Sequence, residues 1–170
     1  LDDGVAVLKL DDGKVNTLDF EILDALEAAL DRAKGEATAV VLAGREGRFS
    51  GGFNLNVLAR KPFELVTRGA RVMLALYGHP QPVVAACTGH AVAGGAILLL
   101  CCDHRVGLRG DFKVGLNEVS IGMPMPAFVS GLARVRLAQT HFVRATLFSQ
   151  MFDPDGAVEA GYLDQAVDSD

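Results

Sequence analysis

Along the chain, strand-like runs of apolar residues alternate with segments in which apolar residues recur at the helical period. Strands are predicted at residues 5–10, 39–43, 83–86, 104–108, 112–115 and 163–167. Helices are predicted at residues 20–33, 54–59, 62–78 and 96–102, and again between 127 and 161. This alternation of strands and helices favours an α/β fold with mainly parallel pairing.

Particular residues set the expected ends and faces of the helices. Gly35 is expected to end the first helix, and Asn54 to cap the short second one. The helix that begins at Pro62 is expected to bury one face, formed by Phe63, Val66, Ala70, Met73, Leu74 and Tyr77.

Residues 83–103 contain a strand, a glycine-rich turn at 89–95 and an unbroken apolar helix that stops at Asp103. A helix N-terminus carries free N–H donors and the positive end of a dipole. Such a place can bind an anion or stabilise an oxyanion. Because Gly94 and Gly95 lack side chains, a ligand carbonyl could approach the backbone closely.

Residues 39–59 repeat this layout of strand, small-residue loop and helix, with a glycine-punctuated loop at 44–52. Two such loops facing each other would supply two backbone donors. A single acyl carbonyl oxygen between them would be polarised from both sides.

Composition narrows the classes of protein that fit. The chain has 170 residues, 50% apolar and 22% charged, which predicts one globular domain over residues 1–170. The net charge is −5 and no Lys/Arg run is present, so neither a nucleic-acid partner nor an anionic membrane is expected. The longest apolar stretch is too short to span a bilayer, and no signal peptide is evident at the start.

Three cysteines, Cys87, Cys101 and Cys102, lie in apolar runs without a C-x-x-C pair. They are interpreted as reduced core residues, which favours a cytoplasmic location. The four histidines lack metal-ligand spacing, so no metal site is expected.

Common catalytic and nucleotide motifs are absent or incomplete. Gly89 and Gly94 have phosphate-loop spacing, but Gly95 and Ala96 stand where Lys and Ser/Thr are required. The dinucleotide fingerprint is missing, and Ser50 is not part of a nucleophile elbow.

Glu118 is the candidate acid/base residue because its neighbours are mostly apolar or small. Such surroundings raise a carboxyl pKa and allow proton transfer near neutral pH. A salt-bridged or exposed Glu at a strand end is the alternative. Four basic residues suit a phosphorylated ligand, although a solvated face explains them almost as well: Arg45, Arg48, Arg60 and Lys61.

Three segments together resemble the crotonase superfamily, also called the enoyl-CoA hydratase/isomerase family. They are 49–55 (FSGGFNL), 89–95 (GHAVAGG) with Cys102–Asp103, and 117–122 (NEVSIG). Their order and separation also match, and the resemblance covers nearly the whole chain.

The resemblance implies a crotonase-like spiral of ββα units, an acyl-CoA substrate and a homotrimer or dimer of trimers. It implies no cofactor, since coenzyme A is part of the substrate. By position, the backbone N–H groups of Phe53 and Gly94 would form the oxyanion hole. Residues 51–55, including Gly51, Asn54 and Leu55, would hold the substrate, with residues 16–18 bordering the same cleft.

The chain departs from the family pattern at several positions. Hydratases of the family use two glutamates; one matches Glu118, whereas Ile97 occupies the position of the other. Asn54 replaces an Asp, and Asn117 replaces a common Pro before the glutamate. The closing C-terminal helices of the family are missing after Asp170, so the chain is expected to be truncated.

A single Glu favours an isomerase, which moves a proton between C2 and C4 of an enoyl thioester. Hydration of a 2-enoyl-CoA is the close alternative, since another side chain could hold the water. A non-catalytic acyl-CoA-binding subunit and an unrelated α/β domain with a packing glycine turn are the remaining hypotheses.

Overall fold

The computed structural model describes residues 1–169 and contains ten strands and seven helices in that range. The strands are β1 (Val5–Lys9), β2 (Thr17–Leu18), β3 (Ala39–Ala43), β4 (Gly47–Ser50), β5 (Gly52–Phe53), β6 (Val83–Cys87), β7 (Gly89–Val92), β8 (His104–Leu108), β9 (Val114–Gly115) and β10 (Gln165–Val167). The helices are α1 (Phe20–Glu36), α2 (Leu55–Leu58), α3 (Pro62–Tyr77), α4 (Gly94–Cys101), α5 (Ala127–Arg136), α6 (Gln139–Thr146) and α7 (Pro154–Ala160), with a 3₁₀ turn at Val119–Ile121.

The main sheet has five parallel strands in the order β1-β3-β6-β8-β10. Its strands are the alternating and apolar runs that the sequence predicts. Val40 and Leu42 of β3, and Val83 and Ala85 of β6, are fully buried. Helices cover parallel strands in such folds, which is why these runs are so apolar.

Two small parallel sheets include three strands, β4, β5 and β7, that lie in or next to segments expected to be glycine loops. β4, β7 and β9 form one, and β2 pairs with β5 in the other. The prediction of loops at 44–52 and 89–95 was therefore wrong in part. These strands contain small residues and therefore show no alternation of apolar and polar positions. Their backbone pairing joins segments far apart in sequence, which leaves no local pattern.

Helix α4 lies at the centre of the molecule, where all eight of its residues are buried. It packs against α3, α5 and the strands β4, β5 and β7. A helix that is apolar on every side is stable only when protein surrounds it. This central position fixes the start of α4 relative to the small sheets.

Two helix predictions need correction. Gly35 does not end α1, which continues to Glu36 with an Arg32–Glu36 ion pair at 3.0 Å; a glycine in an exposed last turn costs only up to about 1 kcal/mol. The face predicted for α3 is wrong as a set: Phe63 is 84% exposed and Leu74 is 56% exposed. Apolar residues occur around most of α3, and packing on α1 and α4 selects a different stripe, formed by Leu65, Gly69, Val72, Met73 and Leu76.

The three cysteines are free and buried, as the sequence predicts. Burial raises the pKa of the Cys87 thiol to about 12, which leaves it protonated and unreactive at neutral pH. Within residues 1–169, no helix combines the length and the apolar character needed to cross a membrane.

Candidate active site

The loop around β4 and β5 is held in place by Asn16 and Ser50. Asn16 is buried with a left-handed φ of +55°, and its amide donates to the carbonyls of Leu10, Arg48 and Phe49. The fully buried Ser50 hydroxyl donates to the Asn16 carbonyl at 2.7 Å and accepts the N–H of Gly52 at 3.2 Å. Ser50 thus supports the backbone, in keeping with its exclusion as a nucleophile.

This support fixes the direction of the Phe53 N–H group. Asn54 donates its N–H to the Leu18 carbonyl at 2.9 Å, toward β2. Successive N–H groups of an extended strand point to opposite sides, so the Phe53 N–H points away from β2.

Gly94 begins α4, and its N–H precedes the first intrahelical bond, which Ile97 donates to Ala93. Ala93 itself has a φ of +51°, a conformation unusual for a residue with a side chain, and donates its N–H to the Gly115 carbonyl at 3.0 Å. Because Gly94 is the first residue of α4, its N–H has no acceptor within the helix.

The two amides are close neighbours. A Cβ placed on Gly94 would lie 3.5 Å from the Phe53 nitrogen, and one placed on Gly52 would lie 2.9 Å from the Gly94 nitrogen. Gly95 is in tighter contact still, because a Cβ there would lie 2.2 Å from the Ser50 carbonyl oxygen. Glycines at these positions let the start of α4 approach the β4–β5 backbone.

Glu118 follows β9 and is 6% exposed. Its Oε2 atom is buried and has no hydrogen-bond partner within residues 1–169. Burial raises the pKa of its carboxyl group, against a smaller opposing effect of the backbone N–H groups of Glu118 and Asn117. The alternative of a salt-bridged or exposed glutamate does not fit this environment.

Tyr162 supports the segment that carries Glu118. Its hydroxyl is buried and accepts the Leu116 N–H at 3.3 Å, two residues before Glu118. Burial raises the pKa of the Tyr162 hydroxyl, and the nearby Glu118 charge raises it further. The phenol is therefore neutral at neutral pH.

Glu118 and Phe53 line one cavity of about 140 Å³. The other wall residues are Gly51, Leu55, Leu58, Val66, Ala93, Ile97, Asn117, Ile121, Met123, Pro126, Phe128 and Val129. Glu118 is the single ionisable side chain among these described residues. A second buried polar atom without a partner in the described range, Asn117 Oδ1, also belongs to the wall. The cavity is thus an apolar space with a few convergent polar groups, as expected of a small-molecule site.

Comparison with known proteins places these features in a family. A family model described as enoyl-CoA hydratase/isomerase matches residues 1–170. The chain belongs to the enoyl-CoA hydratase/isomerase family.

Named members of the enoyl-CoA hydratase/isomerase family are similar over most of this chain. Mitochondrial enoyl-CoA delta isomerase 1 of Mus musculus is 30% identical over 175 residues, covering 98% of this chain. The chain spans 61% of that protein's length and 57% of its Homo sapiens counterpart.

Solved structures of the family confirm the predicted crotonase-like α/β fold. An enoyl-CoA hydratase/isomerase family protein from Pseudomonas syringae has a TM-score of 0.96 at 45% identity, covering 99% of this chain and 74% of that one. A Mycobacterium tuberculosis protein, described as an enoyl-CoA isomerase with one structure and as a probable enoyl-CoA hydratase with another, has a TM-score of 0.92 in both. The first is 39% identical and covers 97% of this chain and 74% of that one.

Within this family fold, the structure brings most of the predicted site residues together. Gly51, Phe53, Leu55, Ile97, Asn117 and Glu118 all line the cavity. Gly94 does not itself line the cavity but follows the wall residue Ala93 in the chain. The Asn54 side chain instead accepts the N–H groups of Asn56 and Val57. It therefore caps α2, as the sequence also predicts.

Sequence reasoning missed much of the apolar wall, in particular Leu58, Val66, Met123, Phe128 and Val129. These residues come from α2, α3, α5 and the loop before α5, and no local motif marks them. Val66 was assigned to a buried face but not to a binding site.

Proposed function

We propose that this chain isomerises 3-enoyl-CoA thioesters to 2-enoyl-CoA thioesters, with Glu118 moving the proton. The observation that carries this proposal is that Glu118 is the one ionisable side chain among the described residues that line the cavity. One carboxyl group is sufficient for isomerisation, because the same group removes a proton and returns it to another carbon of the same substrate.

The thioester carbonyl oxygen would lie between the N–H groups of Phe53 and Gly94. The Glu118 carboxylate takes a proton from C2, and the electron pair of that C–H bond is delocalised over a dienolate. Its charge on the thioester oxygen is stabilised by the two amides. The Glu118 carboxylic acid then protonates C4, which leaves the double bond between C2 and C3.

Burial of Glu118 suits both halves of this exchange. A carboxyl group with a raised pKa is a stronger base than an ordinary Glu once ionised, and its proton is better held between the two steps. Ile97 contributes an apolar wall and no second carboxylate. No metal or redox cofactor has a part in these steps, and coenzyme A is carried by the substrate.

Hydration of 2-enoyl-CoA is the second candidate, and the Asn117 Oδ1 atom favours it. This buried acceptor has no partner within residues 1–169 and could hold a water molecule near Glu118. Assembly as a homotrimer or a dimer of trimers, and a cytoplasmic location, stay predictions from the resemblance and the sequence.

Turnover assays on the purified chain with 3-enoyl-CoA and 2-enoyl-CoA test the proposal. Conversion of 3-enoyl-CoA that is lost in Glu118→Gln supports isomerisation by Glu118, and Glu64→Gln, at an exposed position of α3, is the matched control. Hydration of 2-enoyl-CoA without isomerisation would favour the second candidate. Binding of acyl-CoA without any turnover would indicate a non-catalytic subunit.

A further inference from the structure

Gly69 lies in the middle of α3, on its buried face, where it meets the ring of Phe53. A Cβ built on Gly69 would lie 2.4 Å from Phe53 Cζ and 2.5 Å from Cε1. The three atoms nearest to that Cβ all belong to the Phe53 ring. No side chain larger than hydrogen fits at position 69 unless this ring moves.

The ring belongs to a residue that also lines the cavity and carries a candidate oxyanion donor. Val66, one turn before Gly69 on α3, is part of the same wall. Phe53 therefore meets α3 through its ring and also borders the space available to an acyl chain. The position of the ring on Gly69 sets how much of that space is open.

Glycine is an unfavourable choice for a helix interior, costing roughly 1 kcal/mol relative to alanine. Gly35 in α1 and Gly131 in α5 are helical glycines with open space around them, since nothing lies within 4 Å of a Cβ at either position. Gly69 differs because its missing side chain is replaced by the Phe53 ring.

We infer that Gly69 is a specificity-determining residue: by accommodating the Phe53 ring, it keeps the cavity open for the longer acyl chains. This inference rests on the proposed acyl-CoA function and adds the residue that sets chain-length selectivity. A methyl group at position 69 requires the ring to move by about 1 Å or more, because ordinary contact begins at 3.4 Å. The inference is that the ring moves toward the cavity, which Phe53 also lines.

The test compares wild type, Gly69→Ala, Phe53→Leu and the double variant. Binding of butyryl-, octanoyl- and dodecanoyl-CoA is measured by calorimetry, and turnover is measured on 3-enoyl-CoAs of the same lengths. One methylene in an apolar pocket is worth roughly 10-fold or more, so Gly69→Ala should lose at least about 10-fold in kcat/KM for the longest chain. The shortest substrate should change by less than about 3-fold. Phe53→Leu in the same chain should restore the ratio of long-chain to short-chain kcat/KM, measured against Phe53→Leu alone.

Gly35→Ala is the matched control, because it makes the same helical substitution away from the cavity and should leave the chain-length profile unchanged. An unchanged profile in Gly69→Ala, or an equal loss at all lengths, would overturn the inference.

Thermal unfolding separates this inference from the proposed function, because it needs no ligand. The Phe53–Gly69 contact predicts that the change in Tm caused by Gly69→Ala is more favourable in the Phe53→Leu background than in wild type. If this coupling is found but wild type binds none of the acyl-CoAs, the contact is real and the proposed function is wrong, together with the selectivity assigned to Gly69. If wild type binds and turns over acyl-CoAs without the coupling, only the inference about Gly69 is wrong.

Discussion

Alanine substitution at the paired glycines of α4 should affect activity in an unexpected order. Gly94 carries the proposed oxyanion donor, but Gly95 has the tighter surroundings. A Cβ on Gly95 would lie 2.2 Å from the Ser50 carbonyl oxygen and 2.9 Å from the Ser50 carbonyl carbon. Ordinary contact begins at 3.4 Å, so backbone must move by more than 1 Å. We therefore expect Gly95→Ala to be far more damaging than Gly94→Ala.

The size of the expected loss in activity follows from which parts of the backbone have to move. Displacing α4 from β4 separates the Gly94 and Phe53 amides, and a misplacement of about 1 Å can cost about 100-fold in rate. Overpacking costs about 1–3 kcal/mol in stability, offset by up to about 1 kcal/mol from the better helix propensity of alanine. In Gly94→Ala the new methyl would meet Leu18 Cδ1 at 3.2 Å and Gly52 Cα at 3.3 Å, which shifts of a few tenths of an ångström relieve.

The assay is kcat for the 3-enoyl-CoA substrate together with Tm for each variant. Gly131→Ala is the control, since this helical glycine of α5 has nothing within 4 Å of a Cβ. We expect a loss of about 100-fold for Gly95→Ala and of less than about 10-fold for Gly94→Ala. If Gly95→Ala retains nearly full kcat, or if Gly94→Ala loses more, the close approach of α4 and β4 does not position the donors.

Two further predictions concern the carboxyl group and its neighbour. Glu118→Gln should abolish turnover yet raise Tm by about 2–4 °C near pH 8. It removes a buried charge whose Oε2 atom has no hydrogen-bond partner within residues 1–169, which recovers at least about 1 kcal/mol. The gain should shrink toward acid pH: the folded-state pKa of Glu118 is raised, so wild-type stability falls as pH rises from the ordinary Glu pKa through the folded value. Ile97→Glu should create measurable hydration of 2-enoyl-CoA and lower stability by about 2 kcal/mol or more, since it buries a second carboxyl group beside the first.

Each of these has its own control and contradicting result. For Glu118→Gln, a Tm difference from wild type that is equal at acid and alkaline pH would show that the charge is not what destabilises the native state. For Ile97→Glu, the Ile97→Gln variant has a side chain of similar length without a carboxylate. Equal hydration rates in the two variants would mean that residue 97 does not face the reacting carbons.

The sequence predicted the centre of the main sheet because β3 and β6 are apolar runs, with one face buried and the other half-buried. Ala39–Ala43 and His104–Leu108 were predicted with the bounds that the structure shows. The short strands β4, β5 and β7 could not be found this way, because glycines interrupt them and their pairing is entirely non-local.

The residues of the candidate site also fall into two groups, those marked by a local motif and those brought together only by packing. Phe53, Gly94 and Glu118 lie in short segments whose residues resemble a known family, so their proximity could be anticipated. Val66 and Phe128 could not be assigned to the cavity from sequence, because only the packing of α3 and α5 brings them there. The Phe53–Gly69 contact likewise joins two segments whose sequences give no sign of each other.

The order of strands in the main sheet has a consequence for biosynthesis. Because β1, β3, β6, β8 and β10 are neighbours in the order in which they occur along the chain, each new strand of the main sheet pairs with the main-sheet strand that was made before it. The sheet can therefore grow from one side while the ribosome is still extending the chain. At every stage β1 forms one edge and the most recently made strand forms the other. The newer edge is the one that awaits its next partner, and there an arrested nascent chain would be prone to aggregate.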